Sequence, residues 1–174
     1  MNKQTNLSEH FSLAELTKTN SGIENVPNEA QVENLRRVCQ WLEQLRLRYN
    51  QMSNRQSRFD LGQRNEKGEM INGNEEMRNE VREYPIIINS GFRSEAVNKA
   101  VGGVPTSNHL TGCAVDIRCI GMEQALRYAA ILLDISDMSR EDFDELLIEQ
   151  KRSVVWIHFA VRPSGNRRRC NFKR

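Results

Sequence analysis

The chain has 174 residues, 38% of them hydrophobic and 28% charged, with a formal net charge of +2. That length suits one domain spanning residues 1–174 with a modest core, and it leaves little room for a second. The charge is too small to imply nucleic-acid binding, and no window reaches the apolar length of a membrane span.

The N-terminal segment MNKQTNLSEHFSLAEL lacks the apolar stretch of a secretory signal, so a chain cytoplasmic as synthesised is expected. Ser12 and Glu15 have capping-box spacing and predict a short helix in FSLAELTKT. His10, just ahead of it, is expected to be a solvated residue in a flexible leader. Gly22 and Pro27 punctuate a loop over residues 20–27. From Asn28 to about Tyr49, Val32, Leu35, Val38, Cys39, Leu42, Leu45 and Tyr49 recur at helical spacing, with Leu47 off the stripe. Residues 50–84 are rich in Asn, Gln, Glu and Arg with almost no apolar periodicity, and read as a polar surface insertion. Turn signals at Lys67-Gly68 and Asn72-Gly73 suggest a hairpin tip within it.

The run Ile86, Ile87, Ile88 predicts a strand buried on both faces, ended by Ser90-Gly91. A short helix follows over 94–100, then the loop VGGVPTSN and a strand in CAVDIRCI. Residues 122–133 read as a helix packed on the sheet. Two strands, 143–149 and 154–161, are joined by a turn at 150–153, and 167–172 adds an edge strand. Helices first and a small, mainly antiparallel sheet later make an α+β domain. Cys39, Cys113, Cys119 and Cys170 form no Cys-x-x-Cys pair, so reduced thiols are expected, with Cys113 and Cys119 as small buried apolar residues. Arg167, Arg168, Arg169, Lys173 and Arg174 read as a solvated last strand and tail; a hold on an anionic polymer is the other reading.

Only three histidines are present: His10, His109 and His158. His109 stands in a polar loop, Asp116 follows seven residues later on a strand, and Gly112 between them permits a sharp turn. His158 lies on a separate strand. Two imidazoles and a carboxylate suit zinc and leave a fourth position for water. The spacing alone is equally compatible with a turn-capping Asp and a satisfied strand His.

Residues 86–161 resemble the M15 family of zinc D,D-carboxypeptidases and L-alanyl-D-glutamate endopeptidases, in particular its phage endolysin-like branch. The resemblance rests on SGFRS at 90–94, SNHLTGCAVD at 107–116, and FDELLIEQ at 143–150 followed by WIH at 156–158. The leader FSLAEL and the long helix also resemble that branch, in which the connection at 50–84 is much shorter. The resemblance implies a hedgehog/DD-peptidase-like fold, with His109, Asp116 and His158 as ligands of one Zn2+. It makes Arg93 the residue that binds substrate and stabilises developing negative charge. Ser107 matches a motif serine and either bonds substrate or caps its loop. Trp156 forms a wall of the substrate groove or belongs to the core.

The general base is less well marked. Some relatives carry a carboxylate three residues before the last ligand and others a histidine two before it; Val155 and Trp156 stand there instead. Glu149, brought near by the hairpin, is the candidate, with Asp144 and Glu145 behind it. The expected activity is hydrolysis of a peptide bond in peptidoglycan stem peptides, with peptidoglycan or its muropeptides as partner. A non-catalytic zinc-containing wall-binding module on the same scaffold is the alternative. Lacking a secretion signal, such an enzyme would reach the wall as a phage or prophage lysin, or act on precursor or recycled peptides.

Overall fold

The computed structural model describes residues 5–61 and 82–173, and for 56–61 the backbone alone. The expected hairpin tip at 66–73 and Arg174 lie outside the described residues. The chain divides into two compact units, one of residues 1–45 with 86–174 and one of 46–85.

In the first unit, helix α1 (Leu13–Leu16) is capped by Ser12, whose hydroxyl accepts from the Glu15 amide. Helix α2 (Glu29–Leu61) starts here and continues into the second unit. Its start is a reciprocal cap: Asn28 Oδ1 accepts from the Gln31 amide at 2.9 Å, and Gln31 Oε1 accepts from the Asn28 amide at 2.7 Å. The predicted stripe is the buried face, with Leu35, Val38, Cys39, Leu42 and Leu45 fully enclosed and Leu47 57% exposed. Trp41, off that stripe, is buried too, its ring 5.4 Å from Phe159 and 6.5 Å from Phe143.

Strand β1 (Ile88–Ser90), helix α3 (Glu95–Ala100), a 3-10 turn (Asn108–Thr111), β2 (Ala114–Cys119), α4 (Gly121–Ser139), β3 (Glu145–Lys151), β4 (Val154–Ala160) and β5 (Arg169–Lys173) complete the unit. The sheet order is β1-β2-β4-β3-β5, antiparallel except that β5 runs parallel to β3. The class is therefore α+β. Asp116, His158, Leu147 and Asn171 stand in register across four strands and share one face. Val115, Ile117, Ile157 and Phe159 alternate with them onto the other face and are buried, as are Ala125, Tyr128, Leu132 and Ile135 of α4. Among the described residues no helix is long and apolar enough to cross a membrane.

In the second unit, which spans 46–85 and contains the expected insertion at about 50–84, the polar residues after Tyr49 continue the helix to Leu61. Polar residues with good helix propensity extend a helix already nucleated upstream without needing an apolar stripe. Asn50 exchanges two hydrogen bonds with the Tyr84 backbone, at 2.6 and 3.1 Å, and Asn54 does the same with Arg82 at 3.0 Å. Two amide side chains one helical turn apart thus serve as a surrogate strand for the returning chain.

Other expectations need correction. Ile86 and Ile88 are buried but Ile87 is 46% exposed, because β1 is an edge strand with one face against the core. Helix α4 runs to Ser139, beyond 133, since Ile135 and Ser136 still face the interior. The β3–β4 turn is confined to Arg152 and Ser153, with Arg152 at φ 55°, so the strands pair two residues further towards the turn. His10 is not free in a leader: its Nδ1 lies 2.8 Å from Glu43, which also accepts from the His10 amide and the Ser8 hydroxyl. All four cysteines are free, with Cys39, Cys113 and Cys119 buried and Cys170 exposed.

Candidate metal centre and active-site cleft

His109 sits in the 3-10 turn, whose first residues are capped by Ser107: its Oγ accepts from the His109 amide at 3.3 Å. Gly112 ends that turn at φ 72°, a left-handed conformation natural to glycine, and an added Cβ would lie 2.5 Å from the Gln31 carbonyl oxygen. Helix α2 grips the same turn, Gln31 donating to Leu110 O and Asn34 to Thr111 O, each at 2.9 Å. The turn then feeds β2, so Asp116 comes up beside His109 while the β2–β4 register brings His158 opposite.

Three atoms converge. His109 Nε2 is 3.2 Å from Asp116 Oδ1 and 3.2 Å from His158 Nδ1, and His158 Nδ1 is 3.0 Å from Asp116 Oδ1. A tetrahedral zinc with bonds near 2.0–2.1 Å holds its ligands about 3.3 Å apart, so this triangle matches one face of that tetrahedron. The remaining ring nitrogens agree. His109 Nδ1 lies 2.6 Å from the Gly91 carbonyl oxygen, which can only accept, and His158 Nε2 lies 3.4 Å from Glu145. In the neutral rings the proton therefore sits on the outer nitrogen, and all three inner atoms present lone pairs to one point. Such an arrangement calls for a cation, and the donor set fits zinc.

Electrostatically, a proton and a metal ion compete for the inner nitrogen of His158. Burial works against a charged His158, yet Asp116 and Glu145 more than offset it and raise its pKa to about 9. Burial also opposes the Asp116 carboxylate, but His109 and His158 hold its pKa far below the usual range. The second oxygen of Asp116 is taken by the Arg93 guanidinium, whose Nε donates to Ser90 Oγ at 2.8 Å.

Around this cluster opens a cleft of about 690 Å³ lined by Arg93, Ser107, Glu149 and Trp156 among others. Glu149 pairs with Trp156 across the hairpin, on the same strand face as His158 and two positions along, and its carboxylate lies 3.3 Å from Lys173 Nζ. Trp156 is half-buried and lines the cleft. The cleft lining holds Arg93, Ser107, His109, Asp116, Glu149, Trp156 and His158, all expected there from the sequence, whereas Asp144 lies outside it. Two fallback bases are otherwise engaged. Asp144 is completely buried, held by Arg162, Arg167 and the Asn108 amide. Glu145 faces the cleft, but its oxygens are occupied by His158, Arg167 and Arg169. Interaction with His158 is the first cause of its pKa falling to about 2, so it is a poor proton acceptor.

Sequence reasoning missed that orienting role of Glu145 and the part played by the terminal cations. Arg167, Arg169 and Lys173 pair with carboxylates of the β3 segment and line the cleft, while Arg168 pairs with Asp137 and Asp142 and stacks over Phe143. They are not a merely solvated tail. The alternation of β5 beside β3 was the available signal, but a parallel edge partner cannot be read from one strand's pattern.

A protein-family model described as Peptidase M15 matches residues 46–158, a span that contains Arg93, His109, Asp116, Glu149 and His158. No curated protein matches the chain.

Proposed function

Because the chain belongs to the Peptidase M15 family, a family of zinc-dependent peptidases, we propose that it hydrolyses a peptide bond in peptidoglycan stem peptides, with His109, Asp116 and His158 holding one zinc ion. The observation that carries this reading is the triangle of three inward lone-pair atoms, with edges of 3.0–3.2 Å, on the wall of a cleft with room for a peptide. Bound there, zinc supplies a Lewis acid that polarises a carbonyl and lowers the pKa of water.

The chain's own residues do the rest. Glu149, on the same strand face as His158, accepts the proton of the attacking water at a carboxylate oxygen and returns it to the leaving amine. Arg93 lines the cleft beside Asp116, where its guanidinium faces developing negative charge or a substrate carboxylate. Trp156 forms one wall, and Ser107 holds the turn that carries His109.

The test is elemental analysis of purified wild type and His109→Ala, coupled to cleavage assays on defined muropeptides. About one zinc per chain, lost together with cleavage in the variant, is the expected result. Zinc bound without cleavage of any stem peptide would favour the non-catalytic wall-binding module. No zinc uptake would end the peptidase reading.

A further inference from the structure

Strand β5 places Arg169 in register with Glu145, and Lys173 in register with Glu149. Both side chains line the cleft and are about half exposed, at 48% and 47%. Each has one carboxylate partner: Arg169 Nη1 lies 3.2 Å from Glu145, and Lys173 Nζ 3.3 Å from Glu149. Glu145 is shared, since Arg167 also reaches it at 3.0 Å and His158 at 3.4 Å. Arg162 and Arg167 line the same wall, and both lean on buried Asp144. Four cations thus stand against Asp144, Glu145 and Glu149, and the wall has an excess of positive charge facing the cleft.

We propose that Arg169 and Lys173 form a carboxylate-binding subsite that selects acidic peptides. This rests on the peptidase reading and adds a substrate class to it. In the order β4-β3-β5, the strand that carries the subsite lies two spacings from the strand that carries His158, about 10 Å away, or about three residues of extended peptide. A dipeptide bound at the metal cluster ends short of β5. A longer stem peptide reaches it, and a free carboxylate two or three residues from the cleaved bond finds Arg169 and Lys173. Both cations keep donors for a guest, and a charge-assisted bond in a partly enclosed groove is stronger than one in open water.

The test uses the zinc-loaded full chain and two probes: the pentapeptide L-Ala-γ-D-Glu-L-Lys-D-Ala-D-Ala, which holds both kinds of stem-peptide bond, and the same peptide with every carboxylate amidated. Stopped-flow tryptophan fluorescence reads binding before turnover, because Trp156 lines the cleft while Trp41 is sealed in the core. Hydrolysis is followed in the same mixtures. Wild type should bind the acidic peptide about tenfold more tightly or better, the size of a hydrogen bond to a charged group. The preference should fall about tenfold in the Arg169→Gln/Lys173→Gln variant, leaving only what Arg93 contributes, and return in Arg169→Lys/Lys173→Arg, which keeps the charges and controls for folding. Equal affinity of wild type for both probes, or a preference undiminished in the Gln variant, overturns the subsite alone. Selective binding without hydrolysis overturns the peptidase reading and leaves the subsite standing. Binding of neither probe overturns both.

Discussion

His158 turns Nε2 towards Glu145, 3.4 Å away, which leaves its Nδ1 as the nitrogen that meets Asp116 and His109. A carboxylate behind a ligand imidazole fixes its tautomer and ring angle and makes the ligand more basic. Arg167, Arg169 and the Asn108 amide hold Glu145 in that position. Glu145→Gln should weaken zinc binding ~10–100-fold, the usual cost of losing such a partner. Competition against a chromophoric chelator measures it; unchanged affinity would show that the 3.4 Å contact does no orienting.

Glu149→Gln separates catalysis from metal binding. The substitution keeps the side chain's shape beside Trp156 and removes its capacity to accept a proton. Loss of a general base lowers turnover by roughly 10²–10⁴-fold. Zinc content should stay at the wild-type level, because Glu149 is outside the ligand cluster. A variant with wild-type kcat would transfer the proton-accepting role to another group.

Asp144 links the cleft wall to the core. Its buried carboxylate takes two bonds from Arg167 at 2.8 Å, one from Asn108 at 2.8 Å and an ion pair with Arg162 at 3.0 Å. Asp144→Ala should cost about 2–3 kcal/mol in urea unfolding, below the range for fully buried pairs because both arginines reach water.

The same residue gives a pH signature. Burial opposes its charge, but Arg167, Asn108 and Arg162 prevail and lower its pKa. A carboxylate with a lowered folded-state pKa stabilises fully above its unfolded value of about 3.9 and loses that contribution as pH falls through the folded value. The stability gap between wild type and Asp144→Asn should therefore be flat from pH 7 down to about 5 and shrink below about 4. A gap that widens on acidification contradicts this sign.

Gly91 is a tight spot with two duties. A Cβ there would lie 2.3 Å from the Leu16 carbonyl oxygen, a backbone atom that also accepts the Phe92 amide at 2.8 Å. Its own carbonyl receives His109 Nδ1. Gly91→Ala should destabilise by roughly 1–3 kcal/mol, as overpacking does, and lower zinc affinity with it. Urea unfolding with and without zinc reads both effects.

Much of this was legible because it is local. The stripe from Val32 to Leu45 needs only helical spacing, and the path from His109 to Asp116 needs only a turn residue such as Gly112 before a strand. The family resemblance drew His158 and Arg93 into the same site; the hairpin pattern alone leaves His158 undecided. Trp41 was missed because it stands off the main stripe, where its ring meets Phe143 and Phe159. Glu145 was read as a possible base because sequence shows its acidity but not the four partners around it. His10 and Glu43 are 33 residues apart, beyond any local pattern.

The Asn50 and Asn54 clasp has a consequence for how this chain can change. Both ends of the intervening stretch are fastened to one helix, at Tyr84 and Arg82 on the returning side. Closing a longer loop between fixed ends costs little, about 0.6 kcal/mol for each doubling of its length. Because the clasp holds Asn54 to Arg82 and Asn50 to Tyr84, the number of residues between Asn54 and Arg82 can change with little effect on the entropy of closing the chain there.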